Sequence, residues 1–148
     1  MQEIDRWFWL LLIVVTLINA LVLQYRAEKT IAKKPELRAG YQKLLKGYLI
    51  FLNLPWLVMG AGILLTGLNL SDYSRPRAGN AFVLAFHAVV IGLLGLCAYW
   101  IYFRGGAEFL IRHPGAFRYN FKDARVFKVI YALVLLVGIG VFVNLWLK

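Results

Sequence analysis

Cysteine, histidine and acidic residues are scarce in this chain, and their scarcity excludes several kinds of site. The 148 residues include one cysteine, Cys97, two histidines and seven acidic residues. A single cysteine cannot form an intrachain disulfide or a CxxC redox pair. No group of His, Cys, Asp and Glu has the spacing of a metal site, and no catalytic constellation is visible. The sequence therefore predicts neither a resident metal nor an active site.

Charge is absent from four long stretches, each of about the 20 residues that a helix needs to cross a bilayer. They are residues 7–24, 47–68, 81–103 and 129–147. Hydrophobic residues make up 61% of the chain, against about half in soluble domains. We predict an all-α integral membrane protein, a single four-helix bundle domain over residues 1–148. Its spans are expected at approximately 7–24, 47–68, 81–103 and 126–147. The absence of a carboxylate inside these stretches argues against a proton-coupled carrier.

The basic residues divide unequally between the segments that flank the spans. Residues 25–46 hold seven of the 17 Lys and Arg and residues 104–128 hold six, which makes thirteen. The other four are Arg6, Arg75, Arg77 and Lys148. Segments rich in Lys and Arg stay cytoplasmic. We therefore predict a bacterial inner-membrane protein with both termini outside the cytoplasm. The cytoplasmic segments are expected to meet anionic lipid headgroups, and no nucleic-acid recognition motif accompanies the basic residues.

The two basic segments have local patterns of their own. Pro35 and Glu36 suit the first turn of a helix, and apolar residues then recur at helical spacing from Leu37 to Tyr48. This pattern predicts an amphipathic interfacial helix that leads into the second span. In the third segment, "AEFLIR" predicts a short helix between glycine and proline breaks. Around it, His113 is expected as a surface turn residue, and four residues are expected at the lipid headgroups: Phe117, Arg118, Phe121 and Lys122. A surface for a partner protein is the alternative.

Polar residues inside the spans are costly in lipid, so each needs an explanation. Asn19 and Asn53 lie at similar predicted depths, which predicts an interhelical hydrogen-bonded pair. Pro55 removes the helical partner of the Phe51 carbonyl and predicts a kink. A kinked helix with two amides that line a ligand pocket is the alternative.

The third span carries a repeat of small residues spaced four, three, four and three apart. Such a seam lets two helix backbones approach closely in a membrane. On a helical wheel, bulky residues fall on a face far from the seam, which we interpret as the lipid-facing side: Phe82, Phe86, Leu93 and Trp100. The predicted packing residues are Ala81, Ala85, Ala88, Gly92 and Gly95.

The same wheel turns His87 into the bundle, on the face that also holds Leu84, Ile91 and Ala98. Its depth, about 9 Å below Ala81 at 1.5 Å per residue, places it near the level of Asn144 and the loop before the span. The imidazole then either hydrogen-bonds a neighbouring helix or contributes to a quinone or lipid site. The candidate ligand-binding residues are His87, Asn144, Arg75, Arg77 and Asn80. Haem would need a second His87 from a homodimer, because His113 is predicted on the opposite side of the membrane.

These patterns favour a non-enzymatic membrane protein that acts as an accessory or interaction subunit, with a partner protein or a second copy. The alternative is a quinone- or lipid-binding protein with its site around His87. A channel or carrier ranks third. No cofactor is predicted beyond a quinone or lipid.

Overall fold

The computed structural model describes residues 2–116 and 121–147, with side chains from Arg6 onward. These residues form five α-helices joined by three 3₁₀ turns, and no strand occurs among them. The turns are Pro35–Leu37, Leu70–Ser74 and Pro76–Ala78. The helices are α1 (Gln2–Ile31), α2 (Arg38–Thr66), α3 (Ala81–Phe103), α4 (Gly106–Arg112) and α5 (Ala124–Leu147).

Four of these helices, α1, α2, α3 and α5, are long and apolar enough to cross a membrane. They coincide with the four predicted spans, and α1 and α2 each continue into the basic segment between them. The charge-free stretches therefore located all four long helices. The two helices extend further because Arg26, Lys29 and Lys43 are compatible with helix and prefer only to stay out of lipid.

The long helices pack in the order of the chain. The α1–α2 interface is the largest, α2 also packs against α3, and the α3–α5 interface is small. The described helices α1 and α5 have at most marginal contact with each other. The predicted bundle is therefore an open row of helices, in which many apolar side chains of α5 remain exposed.

Two clusters of buried side chains lie at the two ends of the long helices, as measured along the helix axes. The basic end is the end formed by residues 26–46, 104–116 and 121–128. Its core contains Ile101, Ala107, Leu110 and Phe127. The opposite end contains the turns over residues 70–78, and its core contains Met59, Ile63, Tyr73 and Val83. The core of the opposite end joins α2 to α3, and the core of the basic end joins α3 and α4 to α5.

Close helix approach depends on glycines of α2 and not on the small residues of α3. A Cβ at Gly60 would lie 2.5 Å from the Trp9 ring, and one at Gly62 would meet Tyr73 and Phe82. A Cβ at Gly92 or Gly95 would have no neighbour within 4 Å.

The predicted packing seam of α3 is therefore wrong as an interface within this chain. All five of its residues are exposed: Ala81, Ala85, Ala88, Gly92 and Gly95. The expected lipid side is wrong as well, since Phe82 and Phe86 are partly buried against residues of the opposite end. The Phe82 ring turns inward because Gly62 of α2 leaves room for it.

At the opposite end, the turns over residues 70–78 fold back onto the helices. The hydroxyl of buried Tyr73 donates to the Met59 carbonyl of α2 at 2.9 Å. Burial, with a smaller contribution from the Asp72 charge, raises the pKa of Tyr73 to about 12. The Arg77 guanidinium donates to the Leu147 carbonyl at 3.3 Å and so reaches the C-terminal end of α5. One short segment thus connects α2 with α5.

At the basic end, both predicted local helices are present. The turn Pro35–Leu37 leads into α2 without a gap, and Gly105, at φ +70°, is the N-cap residue of α4. The Glu108 carboxylate accepts from Lys128 Nζ at 2.8 Å, which joins α4 to α5 and lowers the pKa of Glu108.

Phe121 is partly buried, and its ring packs on Phe127 at 5.3 Å. Its expected contact with the headgroups stays a prediction. Lys122 is exposed. The predictions for Phe117 and Arg118 lie outside the described residues.

Candidate functional site

His87 is the largest of the side chains that are almost fully enclosed, with 2% of its surface exposed. Its Nδ1 lies 2.8 Å from the Val83 carbonyl, one turn earlier in α3. A carbonyl oxygen can only accept, so Nδ1 carries the proton of this hydrogen bond. In the neutral imidazole, Nε2 is then the nitrogen with the free lone pair.

Aromatic rings surround this imidazole. The Phe86 ring lies 5.5 Å away on the same helix. Phe142 and Trp146 of α5 approach from the other side, with ring centroids at 5.0 and 6.0 Å. All three contacts are edge-on, which is a favourable geometry for aromatic pairs. His87 thus faces the interior, and it forms much of the contact between α3 and α5 at the opposite end.

The other four predicted ligand-binding residues do not converge on His87. Asn144 and Arg75 are exposed, and Arg77 is bonded to the end of α5. Asn80 caps α3, because its Oδ1 accepts from the Phe82 backbone N–H at 2.9 Å. The structure therefore gives two of the four polar residues structural roles of their own.

Asn144 was predicted at the correct depth but on the wrong face of α5. Phe142 and Trp146 are four residues apart and share a side of the helix, whereas a residue midway between them points away from that side. The position of Asn144 within the apolar stretch gives its depth, but it does not give the direction in which its side chain points around the helix axis. The stretch "FVNLW" did contain the signal for the true contacts, namely two aromatic residues at i and i+4.

The Trp146 indole is the residue that the sequence analysis missed. Its Nε1 is buried and has no hydrogen-bond partner in the structure. Buried N–H groups are nearly always paired, so each exception needs an explanation. The Trp146 indole therefore holds an unpaired proton donor, and its neighbouring ring, the His87 imidazole, holds a lone pair on Nε2.

The predicted Asn19–Asn53 pair is not formed. Asn53 is 9% exposed and donates from Nδ2 to the Leu49 carbonyl at 2.6 Å, while Asn19 is exposed. Asn19 was predicted near the depth of Asn53, but it lies on a face of α1 that is exposed. The contact of Trp9 with Gly60 sets the register of α1 and α2 and brings Thr16, which is buried, to the level of Asn53. The Asn53 Oδ1 has no partner.

Pro55 is buried beside Asn53, and α2 continues through it without a break. The kink at this residue stays a prediction.

His113 is buried, contrary to the expectation of a surface turn residue. It is 5% exposed, its Nδ1 donates to the Phe109 carbonyl at 2.7 Å, and its ring packs edge-on against Tyr41 at 5.0 Å. The Tyr41 hydroxyl donates to the Pro114 carbonyl at 2.6 Å. The ring fits because Gly40 has no side chain. His113 thus fixes the end of α4 against α2.

Within residues 2–116 and 121–147, no group of three or more His, Cys, Asp and Glu side chains could hold a metal ion. The two histidines lie at opposite ends of the row, His87 with the second half of α5 and His113 with the start of α2. The ring pair of His87 and Trp146 is therefore the candidate site that the described residues offer. No protein-family model, curated protein or solved structure matches this chain.

Proposed function

We propose that the chain is an integral protein of the bacterial inner membrane with both termini outside the cytoplasm. Four apolar helices of sufficient length support the membrane location. The division of Lys and Arg, thirteen in residues 25–46 and 104–128 against four elsewhere, supports the orientation. In this arrangement the exposed basic side chains of the basic end contact anionic lipid headgroups.

Within the membrane, the protein acts as an accessory or interaction subunit without a catalytic site of its own. The observation that carries this proposal is the outward direction of the small residues of α3. Gly92 and Gly95 have open space where a side chain would be, while α2 provides the close approach inside the chain. A small-residue face is the surface on which a second transmembrane helix packs most closely. We propose that a helix of a partner protein occupies this face.

Copurification in mild detergent tests the interaction. Gly92→Leu is expected to remove the partner while the thermal unfolding temperature of the purified chain stays unchanged, because the new side chain enters empty space. Leu133→Ala is the matched control, since Leu133 is also exposed but lies on α5. Equal partner recovery from Gly92→Leu and wild type would contradict the proposal, as would a partner identified as a second copy of the chain.

A lipid-soluble ligand at His87 is the second candidate function. The unpaired, buried N–H of Trp146 beside the imidazole favours it. Mass spectrometry of lipid extracts from the purified protein tests it. A stoichiometric quinone or lipid is expected in wild type and is expected to be absent in His87→Gln, whose fold is checked by its unfolding temperature. The same lipid content in both would contradict this candidate.

A further inference from the structure

We propose that His87 and Trp146 bind the hydroxyl group of an amphipathic ligand, either a long-chain alcohol or a quinol. This inference rests on the second candidate function and specifies the chemistry of its site. The Trp146 indole N–H donates to the hydroxyl oxygen, and the hydroxyl proton is donated to His87 Nε2. One group then satisfies both rings.

The donor of this site is the indole N–H of Trp146, which is buried and has no acceptor in the protein. Two other aromatic hydrogen-bond donors at this end of the chain are satisfied internally. The Tyr73 hydroxyl donates to Met59, and the indole of Trp9 donates to the Arg6 carbonyl at 3.1 Å. An added acceptor would satisfy the unpaired N–H of Trp146.

The acceptor of the site is Nε2 of His87. The bond from Nδ1 to the Val83 carbonyl fixes the proton on the other ring nitrogen and also fixes the orientation of the ring. The two ring centroids are 6.0 Å apart and nearly perpendicular. The imidazole and the indole are thus neighbouring rings, and we place the hydroxyl group between their nitrogens.

A hydroxyl fits this pair better than a carbonyl or a phosphate. A carbonyl oxygen could accept from Trp146 but could not donate to His87. A phosphate would bring negative charge among aromatic rings, and of the two arginines in the preceding turns Arg77 is bonded to Leu147 and Arg75 is exposed. Buried charge without a partner is strongly unfavourable. The site therefore selects a neutral group that both donates and accepts.

The rest of the ligand is apolar because the surroundings are apolar. Phe86 and Phe142 flank the imidazole, and Val143 and Leu147 beside Trp146 are exposed on α5. The α3–α5 interface is small, and the exposed apolar side chains beside Trp146 suit a hydrocarbon chain.

The experiment uses the full chain in lipid nanodiscs and follows the indole N–H and imidazole nitrogen resonances by NMR. Four probes are titrated: 1-dodecanol, dodecyl methyl ether, a decyl benzoquinol and the corresponding quinone. Trp146→Phe assigns the indole signal and removes the donor. Trp100→Phe is the matched control, because Trp100 packs in the core of the basic end.

We expect 1-dodecanol or the quinol to shift the Trp146 and His87 signals together in a saturable manner. The ether and the quinone should bind at least about tenfold more weakly, since they lack the donated proton. Trp146→Phe should weaken hydroxyl binding by a similar factor, and Trp100→Phe should not. A preference for dodecanol would identify an alcohol-bearing lipid, and a preference for the quinol a quinol.

Two results would overturn the inference in distinguishable ways. Saturable binding of the quinone that equals that of the quinol would leave the second candidate function standing and refute the hydroxyl assignment. No saturable shift of either ring with any of the four probes would refute both the hydroxyl assignment and a ligand site at His87.

Discussion

Both histidines of this protein are held by the same local hydrogen bond. In each, Nδ1 donates to the carbonyl of the residue four positions earlier, Val83 for His87 and Phe109 for His113. The bond fixes the ring along its own helix and directs Nε2 away from it. For His113 that side is occupied by α2 at Gly40. For His87 that side adjoins the aromatic rings of α5.

Gly40→Ala tests the packing of His113. The added methyl group would collide with the imidazole ring, and we expect a loss of about 1–3 kcal/mol in the free energy of unfolding. Gly47→Ala is the matched control on the same helix, because its methyl group would meet only Phe51 at an ordinary 3.7 Å. Thermal unfolding in detergent measures both. If Gly40→Ala is no less stable than Gly47→Ala, the placement of His113 is wrong.

The pH dependence of stability tests the burial of Tyr73. Its pKa is about 12 in the folded protein against 10.0 ordinarily, so the folded state holds the proton more tightly. This contribution is fully present below pH 10 and decreases as the pH rises towards 12. We expect a loss of about 2–3 kcal/mol over that interval. Tyr73→Phe should be less stable at pH 8, by about 1 kcal/mol for the lost bond to Met59, and should lack this part of the alkaline decline. An unchanged alkaline slope in the variant would contradict the assignment.

At the scale of the helix, the sequence determines position along the axis better than rotation about it. The charge-free stretches located α1, α2, α3 and α5 because the exclusion of charge from lipid depends on depth alone. The contacts of Asn19, Asn144 and the α3 seam were misjudged because each depends on which side of a helix the neighbour lies. In lipid an apolar side chain gains little by facing a helix rather than a hydrocarbon tail. Hydrophobicity therefore marks the inner side of these helices only weakly.

The close packing of α1 on α2 depends on Gly60, and substitution of this glycine tests it. Gly60→Ala would place a methyl group 2.5 Å from the Trp9 ring, and we expect a loss of about 1–3 kcal/mol as α1 moves away. Gly92→Ala adds the same methyl group to α3 in open space and should be neutral or slightly stabilising. Thermal unfolding of the two variants in one detergent provides the comparison. A larger loss of stability for Gly92→Ala than for Gly60→Ala would indicate that the small residues of α3 pack against another helix of this chain.

The packing of α5 against the core of the basic end can be tested in the same way. Phe127 is the buried residue of α5, within the core of the basic end. We expect Phe127→Ala to lower the free energy of unfolding by about 3–5 kcal/mol. Val134→Ala should have little effect, because Val134 is 61% exposed. If the two variants melt at the same temperature, α5 does not depend on the core of the basic end.

At the scale of the whole molecule, the proposed location in a bilayer explains both the open row of helices and the unequal division of charge. Lipid can cover the apolar faces that no helix of this chain covers, so a closed bundle is unnecessary. The basic residues that the structure describes in residues 25–46, 104–116 and 121–128 lie at one end of the long helices. Counting charges between apolar stretches requires no knowledge of packing, so the sequence alone shows this division of charge. The orientation of this end toward the cytoplasm stays a prediction.

The orientation in the membrane is the central claim, and reporter fusions test it most directly. A reporter that is active only outside the cytoplasm should be active when it is fused after Lys148 or inserted within residues 69–80. The same reporter should be inactive when it is inserted near Lys34 or Gly115, and a reporter active only in the cytoplasm should give the opposite pattern. Activity of the extracytoplasmic reporter at Lys34 and Gly115, with none after Lys148, would contradict the orientation.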